Sequence, residues 1–143
     1  MTGFIFSVIA GAAMSVQGVF NTGLNENIGL LESNAFVQGT AFVLSLIAMF
    51  AFGNGDIKAV SQVNKLFLTG GILGFVITLC VIMGIRNLNP TVATSAILIA
   101  QLLASATIEA FGLFGVERVP FHWQNFVGIG LMIAGVFTFK AAS

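Results

Sequence analysis

Long apolar runs constrain the fold of this chain more than any other feature. The run from Pro90 to Gly115 holds one charged residue, Glu109, and similar runs occupy most of the remaining sequence. A helix of about 20 apolar residues is long enough to cross the hydrocarbon core of a bilayer. Only 7% of the residues are charged, whereas soluble domains average about 25%. The sequence therefore predicts an integral membrane protein.

The apolar runs predict an all-α polytopic membrane protein with five transmembrane helices in a single domain, residues 1–143. Polar segments separate the runs, including a turn from Asn25 to Gly29 and a longer connection from Gly53 to Lys65. At about 20 residues per span, five spans use nearly the whole chain and leave no room for a soluble domain. The predicted spans are residues 2–24, 33–52, 66–85, 90–114 and 122–139.

Residues that could carry out chemistry or bind nucleic acid are scarce. Five basic and five acidic residues cancel, and no basic block is present, which argues against a nucleic-acid partner. One cysteine, Cys80, and one histidine, His122, do not provide the ligand spacing of a metal site. The sequence also lacks a glycine-rich phosphate-binding loop and a nucleophile–base pair. We therefore expect neither an enzyme nor a cofactor.

A stripe of four polar residues runs along one face of the fourth predicted helix. Its members, Thr94, Gln101, Ser105 and Glu109, are spaced seven, four and four apart, which places them on one side at 3.6 residues per turn. A carboxylate in hydrocarbon costs at least ~2.5–3.5 kcal/mol. Glu109 therefore either faces a cavity or a partner helix, or it lies near the helix end and reaches the headgroups. The apolar residues that follow it favour the first explanation.

Side-chain amides form further polar stripes in the first two helices. Gln17 and Asn21 lie one turn apart in helix 1, and helix 2 carries Asn34, Gln38 and Ser45. Buried amides form hydrogen bonds between helices in membranes. The same amides could instead contact a substrate, and the sequence does not decide between the two roles.

Several of these residues occur in an order that resembles a known family. The chain is similar to the small five-helix, YdcZ-type branch of the drug/metabolite transporter superfamily. The resemblance covers essentially the whole sequence, although the acid of helix 4 is commonly Asp in the family and is Glu109 here. It rests on Gln17-x3-Asn21, Gly70-Gly71-x2-Gly74, Gln101-x7-Glu109-x2-Gly112 and Val119-Pro120.

The resemblance implies half of an inverted-repeat transporter in the inner membrane. The partner would be a second copy in an antiparallel homodimer or an oppositely oriented paralogue. We expect alternating-access transport of a small metabolite or drug-like solute, with Glu109 as the proton- or ion-coupling group. A small ion channel formed by an antiparallel dimer is the alternative. The expected substrate-binding residues are Gln17, Asn21, Gln38, Gln101 and Ser105.

The depths of two polar residues suggest a site shared between subunits. With helix 1 centred near Ala13 and helix 4 near Ala104, Gln17 and Glu109 lie on opposite sides of the midplane, roughly 13 Å apart in depth. Inverting a second chain brings its Gln17 close to the depth of Glu109 in the first. We therefore expect helix 1 of one chain to face helix 4 of the other.

Basic residues give almost no preference for one orientation in the membrane. Lys58, Lys65 and Arg118 lie on the N-terminal side of the predicted spans, and Arg86 and Lys140 lie on the other side. Lys and Arg near the ends of spans set orientation because they favour the cytoplasmic side. A difference of one residue is consistent with insertion in both orientations.

We predict that one or two lysines inserted beside Phe139 direct the C-terminal end of the fifth span to the cytoplasm. C-terminal reporter fusions measure the change in orientation. Glutamates at the same position are the matched control, because acidic residues contribute little to orientation. Wild-type fusions that report one side exclusively would contradict a balanced orientation and therefore an inverted homodimer.

Overall fold

Five long helices make up most of the described part of the chain, and the prediction of an all-α polytopic fold is confirmed. A computed structural model describes residues 2–120 and 122–141, and no strand occurs among them. Each long helix, the third together with the turn before it, is long and apolar enough to cross a bilayer. The helices are α1 (Thr2–Ile28), α2 (Leu30–Phe52), α3 (Gly70–Asn87), α4 (Pro90–Phe111) and α5 (Trp123–Ala141).

The junction of α1 and α2 is a single glycine, so the predicted turn from Asn25 to Gly29 is wrong. The Gly29 N–H donates to the Asn25 carbonyl, and the Gly29 carbonyl accepts from the Ser33 N–H, both at 3.0 Å. Gly29 has φ of 96°, a conformation that other residues rarely adopt. Asn27, predicted to be in the turn, donates its amide to the Gly23 carbonyl at 2.8 Å and stays helical.

The ends of α4 follow from capping. Asn89 accepts a hydrogen bond from the Val92 N–H at 2.9 Å, and Pro90 occupies the first turn, where its missing N–H costs nothing. The predicted C-terminal end at residue 114 is wrong, because Gly112 adopts the left-handed conformation, φ 63°, and ends the helix. The Gly112 N–H bonds back to the Glu109 carbonyl.

The connection between α2 and α3 contains two short 3₁₀ helices. They span Ile57–Gln62 and Lys65–Thr69. The Asp56 side chain caps the first by accepting from the Lys58 N–H, and Asn64 caps the second in the same way from Leu66. The third membrane-spanning segment therefore starts as a 3₁₀ turn and continues as α3.

Contacts among the helices fall into two compact units, Met1–Arg86 and Asn87–Ser143. In the first unit α1 packs on α2, and in the second α4 packs on α5. The first unit has a tight contact between helices at Gly18 of α1. A Cβ there would lie 2.7 Å from Ile85 Cδ1 and 3.2 Å from Val81 Cγ1. Gly18 therefore lets α1 lie directly against the side chains of α3.

Gly70 and Gly74 of α3 have the GxxxG spacing but make no close contact with another helix among the described residues. A Cβ at Gly70 would meet no atom within 4 Å, and one at Gly74 would meet only the Gln38 amide, at 3.6 Å. The GxxxG pattern is common in membrane helices. Among the described residues, the tight contact between a helical glycine and another helix is the one between Gly18 of α1 and Ile85 of α3.

Most large apolar side chains point away from the protein. Phe50 and Phe52 of α2 are 81% and 83% exposed, and Phe4 of α1 is 76% exposed. Such surfaces are unfavourable in water and suit the hydrocarbon of a bilayer. The lipid therefore contacts the faces that a soluble protein would bury.

We predict that Gly18→Val destabilises the protein because the added methyl groups overlap Ile85 and Val81. Overpacking of this kind costs about 1–3 kcal/mol of unfolding free energy. Gly11→Val is the matched control, since a Cβ at Gly11 meets no atom within 4 Å. Reversible unfolding in mixed micelles measures both variants. Equal stability of the two would contradict the close contact at Gly18.

Candidate functional site

A groove of about 470 Å³ opens between α1 and α2 in the first unit. Its walls are mainly apolar, with phenylalanine on both helices. Three of its residues are polar: Gln17 and Asn21 from α1, and Thr40 from α2. The remaining lining residues are Phe20, Leu24, Phe36, Val37, Ala41 and Leu44.

The two amides of this groove have no hydrogen-bond partner among the described residues. Gln17 is exposed, while Asn21 is only 7% exposed. Thr40 differs, because its hydroxyl donates to the Phe36 carbonyl at 2.8 Å. With α1 centred at Ser15, Gln17 lies about 3 Å from the middle of the span. Asn21 lies about 9 Å from the same point, and two unpaired amides within a membrane helix require a ligand, water or a partner helix.

The buried polar side chains of the described residues gather near the α1–α2 junction. They are Asn21, Thr22, Asn25, Ser33 and Asn34. The Thr22 hydroxyl donates to the Gly18 carbonyl at 2.8 Å, and the Ser33 hydroxyl donates to the Leu30 carbonyl at 3.0 Å. Both hydroxyls form hydrogen bonds within their own helix. The side-chain amides are the remaining buried polar groups, and they can form hydrogen bonds outside their own helix.

Asn34 and Gln38 connect α2 to α3. The Asn34 Nδ2 donates to the Phe75 carbonyl, and the Gln38 Nε2 donates to the Thr78 hydroxyl, each at 3.4 Å. Asn34 is fully buried, and its Oδ1 has no partner among the described residues. Gln38, an expected substrate-binding residue, does not line the groove. The structure thus shows both amides as links between helices.

The polar stripe of α4 lies on a face of its own in the second unit. Gln101, Ser105 and Glu109 are exposed. A groove of about 220 Å³ between α4 and α5 does not include them. It is lined by Ser95, Leu98, Ile99, Met132, Gly135, Val136 and Phe139. The structure thus keeps the α4 stripe together and leaves it uncovered.

Glu109 lies in the last turn of α4. The middle of α4 falls between Ala100 and Gln101, which places Glu109 about 13 Å away along the axis, near the edge of the ~30 Å hydrocarbon core. The predicted centre near Ala104 is therefore wrong. A site shared between helix 1 of one chain and helix 4 of another stays a prediction. The apolar residues beyond Glu109 form a turn in place of a continued span.

Arg118 has a role that the sequence did not reveal. Its Nε donates to the Ala110 carbonyl at 2.9 Å, and the Val119 N–H donates to the Glu109 carbonyl at 3.1 Å. A guanidinium at the C-terminal end of a helix also compensates the negative end of the helix dipole. The segment after α4 therefore folds back and caps the helix. The basic residue a few positions after Gly112 was the only signal for this cap.

In the described part of the chain, five helices able to cross a membrane and a groove with unpaired amides define a polytopic membrane protein with a candidate solute site. The family model described as "Putative inner membrane exporter, YdcZ" matches residues 2–138. The chain therefore belongs to the YdcZ-type inner membrane exporter family, which confirms the resemblance seen in the sequence. Comparison with curated proteins and with solved structures gives no match.

Family membership establishes a multi-pass protein of the inner membrane. An exporter family indicates a transporter rather than an enzyme, with a small molecule as its substrate. Lipid surrounds the apolar helices.

We predict that Gln38 and Thr78 stabilise the folded state as a pair. A double-mutant cycle with Gln38→Leu and Thr78→Val measures the interaction, which we expect near the ~0.6 kcal/mol average for hydrogen bonds between membrane helices. Thr40→Val replaces Thr78→Val in the control cycle, since the Thr40 hydroxyl bonds within its own helix. Unfolding in mixed micelles gives the free energies. A coupling of zero would contradict the link between α2 and α3.

Proposed function

We propose that the protein is a secondary transporter that moves a small metabolite or drug-like solute by alternating access. The observation that carries this proposal is the pair of unpaired amides, Gln17 and Asn21, in a groove near the middle of a span. The exporter family supplies the transport class. The groove supplies a place where a solute would be held during transport.

The groove has the properties of a small-molecule site. Its volume of about 470 Å³ lies within the ~300–1,000 Å³ range of ligand pockets. Such sites combine apolar walls with a few polar groups that orient the ligand. A bound solute would supply the hydrogen bonds that the two amides lack in the described residues.

The transporter is proposed to work as an antiparallel homodimer or with an oppositely oriented paralogue, as half of an inverted-repeat assembly. The exposed side chains of Gln101 and Ser105 on α4 support this assembly, because neither has a hydrogen-bond partner among the described residues. A second chain, or a water-filled cavity between two chains, would cover them. Inverted halves around a central site are a common transporter architecture.

Glu109 is proposed to bind the proton or cation that drives transport. Its carboxylate is exposed and forms no ion pair within the described part of the chain. A position near the edge of the hydrocarbon core gives an ion access from the aqueous side. Ser105 and Gln101 lie one and two turns further into the membrane on the same face, where they would contact solute.

We predict that Glu109→Gln inserts and purifies normally but abolishes proton-driven flux in proteoliposomes. The substitution keeps the size of the side chain and removes its charge. Flux of solutes that raise the thermal stability of the purified protein measures the effect, since such solutes bind the folded state. Glu117→Gln is the matched control, because Glu117 is an exposed acid in the segment after α4.

Three outcomes of this experiment would contradict parts of the proposal. Wild-type flux and pH dependence in Glu109→Gln would exclude coupling through Glu109. Failure of this variant to assemble would show that Glu109 acts in folding. Fast, unsaturable current in the wild-type protein would identify an ion channel instead of a transporter.

A further inference from the structure

The groove between α1 and α2 is free of ionisable residues. All nine lining residues are uncharged at any physiological pH. The ionisable residue of α1 is Glu26, about 13 Å along the axis from Gln17 and about 8 Å from Asn21. Glu32, the ionisable residue of α2, lies in its first turn. Both acids therefore belong to the junction end of the helix pair, and the centre of the groove carries no charge.

An ionic solute would be poorly stabilised in such a groove. A charge near the bilayer centre is unfavourable unless an opposite charge or water accompanies it. The faces of Phe20 and Phe36 could attract a cation, but phenylalanine provides less of this attraction than tryptophan. Two amides also lack the net charge that would compensate an ion.

An uncharged polar group fits the two amides well. Each carboxamide donates through its NH₂ group and accepts through its oxygen, so it can pair with another amide, a hydroxyl or a ring N–H. Gln17 and Asn21 lie one helical turn apart, which allows both to reach the same head group. Phe20 and Phe36, 72% and 63% exposed, provide apolar surface beside them.

We infer that the groove takes an uncharged amphipathic solute, with a hydrogen-bonding head group on Gln17 and Asn21 and an apolar or aromatic body against Phe20 and Phe36. This inference rests on the proposed transport function and names its substrate class. A lipid tail would fill the groove but leave both amides unpaired. The apolar face of a second copy would also leave both amides unpaired. Neither occupant therefore provides the hydrogen bonds that the two amides need.

Three probes with the same ring and different charge test this inference. They are 2-naphthamide, which is neutral, 2-naphthamidine, which is cationic at neutral pH, and 2-naphthoate, which is anionic. Fluorescence titration of the full-length protein in micelles measures their binding, with empty micelles as the blank. The neutral amide should bind at least about tenfold more tightly than either ion, given the cost of a charge at this depth.

Substitutions locate the bound probe. Gln17→Leu and Asn21→Leu should each weaken 2-naphthamide binding by about threefold to tenfold, the effect of one lost hydrogen bond. Gln62→Leu is the control, because Gln62 lies in the exposed connection before α3. Thermal unfolding of each variant verifies that it is folded.

The inference is overturned if either ion binds as tightly as 2-naphthamide, or if none of the three binds. It is also overturned if both leucine variants retain wild-type affinity, since the probe then lies in lipid, detergent or a subunit contact. Failure of the proposed function has a different signature. In that case 2-naphthamide binds at Gln17 and Asn21 while proteoliposomes show no saturable flux.

Discussion

Hydrocarbon offers no hydrogen bonds, and this constraint organises the structure. Every polar group within a span must find a partner in the protein, a ligand or water. Thr22 bonds to its own helix, and Asn34 and Gln38 bond to α3. Gln17 and Asn21 alone line a groove without any such partner in the described residues. The polar groups are thus divided between those that hold helices together and those available to a solute.

The same division explains how one short chain can combine stability with transport. Gly18 and the α2–α3 hydrogen bonds hold the first unit together without using the groove amides. Gly29 joins α1 to α2 through one residue, so the groove forms between helices that are continuous up to the junction. The groove is open on the outer side of the α1–α2 pair, where a solute or a second chain can reach it.

The sequence predicted features that depend on local residues and missed those that depend on packing. The length of the apolar runs predicted five spans, and the predicted start of the fourth at residue 90 agrees with α4, which Asn89 caps within one turn. The α1–α2 junction was misplaced, since Asn normally favours turns but Asn25 and Asn27 here remain in a helix. The choice of which helices pack against each other depends on the whole fold, so local residues do not predict it.

The candidate site shows the same limit. The spacing of Gln17 and Asn21 placed them on one face, but only the structure shows that this face borders a groove with α2. Gln38 looked equivalent in sequence, yet its amide bonds to Thr78. The position of Glu109 also changed, because the left-handed Gly112 ends α4 before the apolar run is finished. Apolar character alone does not reveal where a helix stops.

Access of water to Gln17 tests the central claim most directly. On a Cys80→Ser background, Gln17→Cys is treated with a membrane-impermeant thiol reagent in intact cells and in inverted vesicles. Val19→Cys is the control at similar depth, because Val19 is exposed on α1 but does not line the groove. Alternating access predicts that Gln17→Cys reacts in both preparations and Val19→Cys in neither. A Gln17→Cys that is as unreactive as Val19→Cys would show that the groove faces lipid, and would contradict a transport pathway through it.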